Sequence, residues 1–196
     1  MNLFKCLCLG IVAILLCGCG ESRAEFDALN AGKINVVYEN QTLKIAESTN
    51  FVILSVSEES QKKNNRDSSP TAQNDNLKKI AESRADSAPQ NFILFFFTST
   101  CGVCKAQIPI LEQLSAQGIK IYAILGDMPD ISKASAFASA HKISLPLFYE
   151  SSAKRFFSQI VGGVKGVPVV VVFDKNGRMK ERFIGLTPKG ILKSAL

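Results

Sequence analysis

Histidine is nearly missing from this chain: His141 is the only one in 196 residues. Cysteine is absent from positions 20–100 and again after 104; the six thiols fall at 6, 8, 17 and 19, then at 101 and 104. A structural zinc site takes about four nitrogen or sulfur ligands, and the later pair with one histidine falls short of that. Lysine and arginine are scattered, with no basic stripe interleaved with aromatics. The formal charge of +6 therefore reads as a solubility feature, and nucleic acid is not an expected partner. Long apolar runs are missing too. Residues 6–18 are apolar or small but too few for an ordinary membrane-spanning helix.

What is present centres on residues 92–104. Phe92, Ile93, Leu94, Phe95, Phe96 and Phe97 form an unbroken apolar run of aromatic and branched side chains, the pattern of a strand buried on both faces. After Thr98, Ser99 and Thr100 come Cys101, Gly102, Val103 and Cys104, and then apolar residues at 103, 106, 110, 111 and 114, which is helical spacing. Cys101 is thus placed where a core strand hands over to a helix N-terminus. Free N–H groups and the positive end of the helix dipole favour a thiolate there. Cys104, one turn on, is placed to attack a mixed disulfide at Cys101. Two plainer uses of the pair stay open at this point, a structural disulfide and half of a zinc site.

The N-terminus reads as an export signal over residues 1–18, with Lys5 as its single charge. Leu16-Cys17-Gly18-Cys19 resembles the bacterial lipobox, which implies lipid on Cys19 and an extracytoplasmic domain anchored to a bacterial membrane. Cys6, Cys8 and Cys17 would leave with the signal, so the mature chain would keep one dithiol. Residues 19–33 are polar and mixed, as in a tether. Ile34–Tyr38 and Leu43–Ile45 are expected to form a hairpin about Glu39-Asn40-Gln41-Thr42. Residues 51–54 look like a further strand. From about 55 to 90, large apolar residues almost vanish, and such a stretch cannot bury enough surface to offset its ordering entropy. A disordered insertion is expected there, inside a single domain spanning 34–196.

Downstream, Gly118 is a plausible helix stop and residues 119–125 a second core strand. A helix capped by Asp130 or Ser132 follows, then a short extended piece at 145–149 and a helix over about 152–161. Val167 to Phe173 reads as a strand, Asp174-Lys175-Asn176-Gly177 as a hairpin turn, 178–184 as the return strand, and Pro188 as the start of a short last helix. Strands alternating with helices, closed by a hairpin and helix, describe an α/β fold on a mixed sheet.

These features in this order resemble the thioredoxin superfamily, in particular its extracytoplasmic TlpA, ResA and CcmG-like branch of thiol-disulfide oxidoreductases. The residues that carry the resemblance are the strand into Cys101-Gly102-Val103-Cys104, Pro109, Gly166-Val167-Pro168 before a strand, and the Asp174–Gly177 turn followed by Gly185. The resemblance implies a thioredoxin-like fold with an N-terminal β-hairpin extension and a cis Pro168 lying against the dithiol. It implies Cys101 as attacking thiolate, Cys104 as resolving thiol, and Val167 and Pro168 as the place where an extended substrate pairs. It also implies protein disulfide or thiol substrates, a membrane electron donor, reductase activity toward apocytochrome c, and no cofactor or metal.

The chain departs from that branch at Thr100, where an aromatic is common, at Val103, at Gln107, where many members carry an acid, and at Phe95, where ordinary thioredoxins bury one. Asp127, at the end of the second core strand, reads as a solvent-facing turn residue. Three other readings compete. A Sco-like copper chaperone spaces its cysteines one residue wider and uses a distant histidine, for which only His141 is on offer. Thr98 and Cys101 match a peroxidase Thr-x-x-Cys, but Leu94 stands where that motif has proline. The third is a noncatalytic thioredoxin-fold lipoprotein.

Overall fold

The computed structural model describes residues 21–47 and 90–196. The expected signal, Cys19, the strand at 51–54 and all but the last residue of the expected insertion lie outside the described residues. In chain order the elements are β1 (Ser22–Leu29), β2 (Gly32–Glu39), β3 (Thr42–Glu47), β4 (Phe92–Phe97), α1 (Gly102–Ser115), β5 (Lys120–Leu125) and α2 (Ile131–Ala140). Then come β6 (Leu147–Phe148), α3 (Ser151–Ile160), β7 (Val169–Phe173), β8 (Met179–Ile184) and α4 (Lys189–Ala195). The strands hydrogen-bond in the order β3-β2-β1-β6-β5-β4-β7-β8.

β4 is central because all six of its side chains are buried, as the apolar run requires. It pairs parallel with β5, Phe92 opposite Lys120, and antiparallel with β7, Phe92 opposite Phe173. The side chains alternate between two cores. Ile93, Phe95 and Phe97 pack with Cys104, Ile108 and Leu111 of α1 and with residues of α2 and α4. Phe92, Leu94 and Phe96 pack with Phe157 of α3 and with Phe26, Ile34, Val36 and Leu43 of the first three strands. With α1 crossing between parallel β4 and β5, and the β7–β8 hairpin and α4 closing the domain, the fold is the expected thioredoxin-like one.

The N-terminal extension is larger than a hairpin. Residues 22–29, expected within the tether, form β1, which pairs with β2 along Ser22–Ala28 and joins the main sheet through Ala28 opposite Phe148. The segment looks polar because every second residue, Arg23, Glu25 and Asp27, faces solvent, while Phe26 and Ala28 between them are buried. Asn30, at φ +68°, fixes the junction: its Nδ2 donates to the carbonyls of Ile143 (3.0 Å) and Leu145 (3.1 Å) just before β6. The β2–β3 turn has Asn40 and Gln41 both at positive φ, the two-residue hairpin geometry whose twist matches its strands.

At the other end, Gly177 (φ +79°) is where the Asp174 turn meets β3. The Leu43 N–H donates to its carbonyl at 2.8 Å, and a Cβ built on Gly177 would collide with the Leu43 carbonyl. The Asp174 carboxylate accepts from the N–H groups of Arg178 (2.9 Å) and Asn176 (2.8 Å), which lowers its pKa below the usual carboxylate value.

Candidate active site

Cys101 is the N-cap of α1, with extended backbone at φ −79° and ψ 108°. That position aims its sulfur at the unpaired N–H groups of the first turn, and Sγ accepts from the Cys104 N–H at 3.1 Å. Cys104 is one turn along, on the face of α1 turned to the core. The two are disulfide-bonded, with a Cα–Cα separation of 5.2 Å, and their exposure is unequal: Cys101 is partly exposed and Cys104 is 0 % exposed. One sulfur is therefore open to a partner and the other is sheltered behind it.

Three supports hold this corner. On one side the Val167–Pro168 peptide is cis, Pro168 is buried, and the Val167 carbonyl oxygen lies 3.9 Å from Cys101 Sγ. Val167 is thus brought to the dithiol, with the cis bond to Pro168 following it. On the second side is the strand-to-helix approach. Ser99 is buried, and Asp127 accepts from its N–H with both carboxylate oxygens (2.9 and 3.0 Å) and from its Oγ at 2.7 Å. Asp127 is exposed, as expected of a turn residue, but it also ties the end of β5 to the approach loop. Replacing Asp127 with Ala should cost about 1.5 to 2 kcal/mol, the lower part of the range for bonds to a charged group because the carboxylate is solvated. Urea denaturation, with faster hydrogen exchange at the Ser99 amide, would check it.

The third support is Gln107, three residues after Cys104 and 0 % exposed. Its Nε2 donates to the Thr187 carbonyl at 3.1 Å, and its Oε1 accepts from the Thr187 N–H at 2.7 Å. Thr187 is buried in the loop after β8 and donates its hydroxyl to the Gly185 carbonyl (3.3 Å); the Gly185 N–H donates to the Pro168 carbonyl (2.9 Å). A continuous run of hydrogen bonds therefore links the helix behind Cys104 to the wall in front of Cys101.

Ser99 and Thr187 are the residues the sequence did not mark. Each is an ordinary polar loop residue whose partner is distant along the chain. His141 caps the C-terminal end of α2, its ring 4.3 Å from that of Phe137. Among the described residues, no group of three or more His, Cys, Asp or Glu side chains is placed to hold a metal ion.

The family described as AhpC/TSA matches residues 66–182 of this chain. No curated protein matches it. Among solved structures, the chain is similar to StoA from Bacillus subtilis, at 19 % identity over 56 % of this chain and 84 % of that one, with a TM-score of 0.48. A thiol:disulfide interchange protein of the thioredoxin family from Chlorobium tepidum matches at 18 % identity over 55 % and 78 %, with a TM-score of 0.46. A secreted Mycobacterium tuberculosis disulfide oxidoreductase homologous to E. coli DsbE matches at 18 % over 57 % and 83 %, with a TM-score of 0.45.

Proposed function

The chain belongs to the AhpC/TSA family and is a thiol-disulfide oxidoreductase of thioredoxin-like fold, and we propose that it reduces protein disulfides through Cys101, with Cys104 as the resolving thiol. The observation that carries this reading is the asymmetry of the pair: a partly exposed sulfur at a helix N-cap backed by a fully buried one. In the reduced protein, the Cys104 N–H and the helix N-terminus favour the thiolate of Cys101. That thiolate attacks one sulfur of a client disulfide, the client S–S bond breaks, and the departing client sulfur takes up a proton. The deprotonated Cys104 then attacks Cys101 Sγ, the mixed disulfide breaks, and the second client thiol leaves. Two electrons have passed to the client, and the dithiol ends in the bonded form described above. Val167 supplies a backbone carbonyl beside the reacting sulfur, where an extended client strand would pair, and Pro168 adds no N–H there.

The same reading places the domain outside the cytoplasmic membrane, anchored by lipid on Cys19 and recharged by a membrane electron donor; an apocytochrome c is the client class in view. Since β1 begins at Ser22, only Gly20 and Glu21 would separate the lipidated residue from the folded sheet, which would hold the domain close to the bilayer surface.

Replacing Cys104 with Ala should trap mixed disulfides at Cys101, visible as reductant-sensitive adducts on a non-reducing gel. Adding Cys101→Ser should abolish them. Absence of adducts, together with failure of the reduced wild-type protein to reduce a neutral dipyridyl disulfide, would sink the proposal.

A further inference from the structure

Beside the dithiol, on the α3 side of the sheet, lies a cleft of about 210 Å³ that the exchange chemistry does not use. Phe96, Ile124, Val164 and Val167 give it an apolar lining, and Lys154 and Lys165 line it as well. The volume suits one side chain, since about 150 Å³ of apolar cavity is enough for a benzene ring. Its charge is of one sign. Lys154 Nζ donates to the Gly126 carbonyl at 2.8 Å, which fixes that ammonium at the cleft, and Lys165 is exposed. Among the described residues, no carboxylate forms an ion pair with either. The cleft shares one residue with the reaction site: Val167 lines it, and the Val167 carbonyl is the one 3.9 Å from Cys101 Sγ.

From this we infer that the cleft is a client-recognition subsite, taking an apolar side chain next to the client's reactive cysteine, with an acidic residue beyond it meeting Lys165 and Lys154. The inference rests on the oxidoreductase reading of the dithiol and names the peptide chemistry that site selects. A client strand rises about 3.3 Å per residue, so pairing at Val167 carries the neighbouring residue along the strand into reach of the cleft. Desolvation of an apolar side chain supplies the affinity, and the lysines supply the sign.

The test uses the reduced chain with Cys6, Cys8, Cys17 and Cys19 replaced by Ser, so that Cys101 and Cys104 are its only thiols, and short peptides, each with its single cysteine in a disulfide to a neutral thiol and flanked by Leu-Asp, Leu-Lys or Gly-Asp. The Leu-Asp peptide should be reduced at least fivefold faster than either of the others at low salt, and its advantage over Leu-Lys should shrink in high salt. In Lys165→Glu the ratio of Leu-Asp to Leu-Lys rates should fall below one. The same charge change at Lys133, exposed on α2 against the opposite core, should move that ratio less than twofold. Three results would overturn the subsite: equal rates for Leu-Asp and Gly-Asp, an unchanged ratio in Lys165→Glu, or an equal shift from Lys133→Glu. A protein that does not reduce the neutral dipyridyl disulfide at all fails the oxidoreductase reading itself, and the subsite falls with it.

Discussion

Replacing Gln107 with Glu should leave the domain close to wild-type stability near pH 4 and make it progressively weaker as the pH rises. Gln107 is 0 % exposed and faces one donor and one acceptor, the N–H and carbonyl of Thr187. A protonated carboxyl satisfies both, but a carboxylate satisfies only the N–H and sets its second oxygen against the Thr187 carbonyl. Burial and that carbonyl raise the folded-state pKa of the introduced acid above the unfolded value of about 4.3. The folded state then binds more protons than the unfolded state, so stability falls with rising pH. If the acid stays protonated at pH 7, the loss is about 3 to 4 kcal/mol, at about 1.4 kcal/mol per pH unit. Urea midpoints from pH 4 to 8 would check the sign; a flat profile would show that the amide is not needed as a donor. Gln107→Ala, which removes both bonds without adding charge, should give a pH-independent loss.

Truncating Phe95 to Ala should cost about 3 to 5 kcal/mol, the usual range for a buried aromatic. Its ring is 0 % exposed and stacks on Phe97 at 4.9 Å with an interplanar angle of 2°. It sits in the core that also contains Cys104 and Leu111. Against a total stability of about 5 to 15 kcal/mol, that loss is large enough to leave part of the chain unfolded at 37 °C. A lower urea midpoint with an unchanged m-value would be the signature. An effect below about 1 kcal/mol would mean that this layer can close over the gap.

Which parts of the molecule could be read from the chain follows from how local their causes are. The β4 run, the Cys101 turn and the α1 spacing lie within twenty-odd consecutive residues, and the Asp130 cap and the Asp174 turn within five or so. Each of those elements forms where the sequence places it. β1 was hidden because its inward side carries small residues as well as Phe26, so the alternation is weak until Ile34 and Phe148 are set beside it. The supports of the dithiol were hidden for a different reason. The Ser99–Asp127 and Gln107–Thr187 pairs span 28 and 80 residues, and nothing about an isolated Gln or Thr marks it as half of a buried pair. The cleft at Val167 likewise exists only once β4, β5 and α3 are side by side.

The meeting of Leu43 with Gly177 bears on the order in which the molecule is made. The strands that leave the ribosome first carry Phe26, Ile34 and Val36, whose packing partners include Val171 and Phe173 near the other end of the chain. The latch that closes β3 down belongs to the turn between the last two strands. No early segment can therefore finish folding by itself, and loop-closure entropy must be met before those contacts reward it. The contact that fixes β3 is therefore complete only once the C-terminal hairpin has been made, so the first strands and the last ones close as one unit.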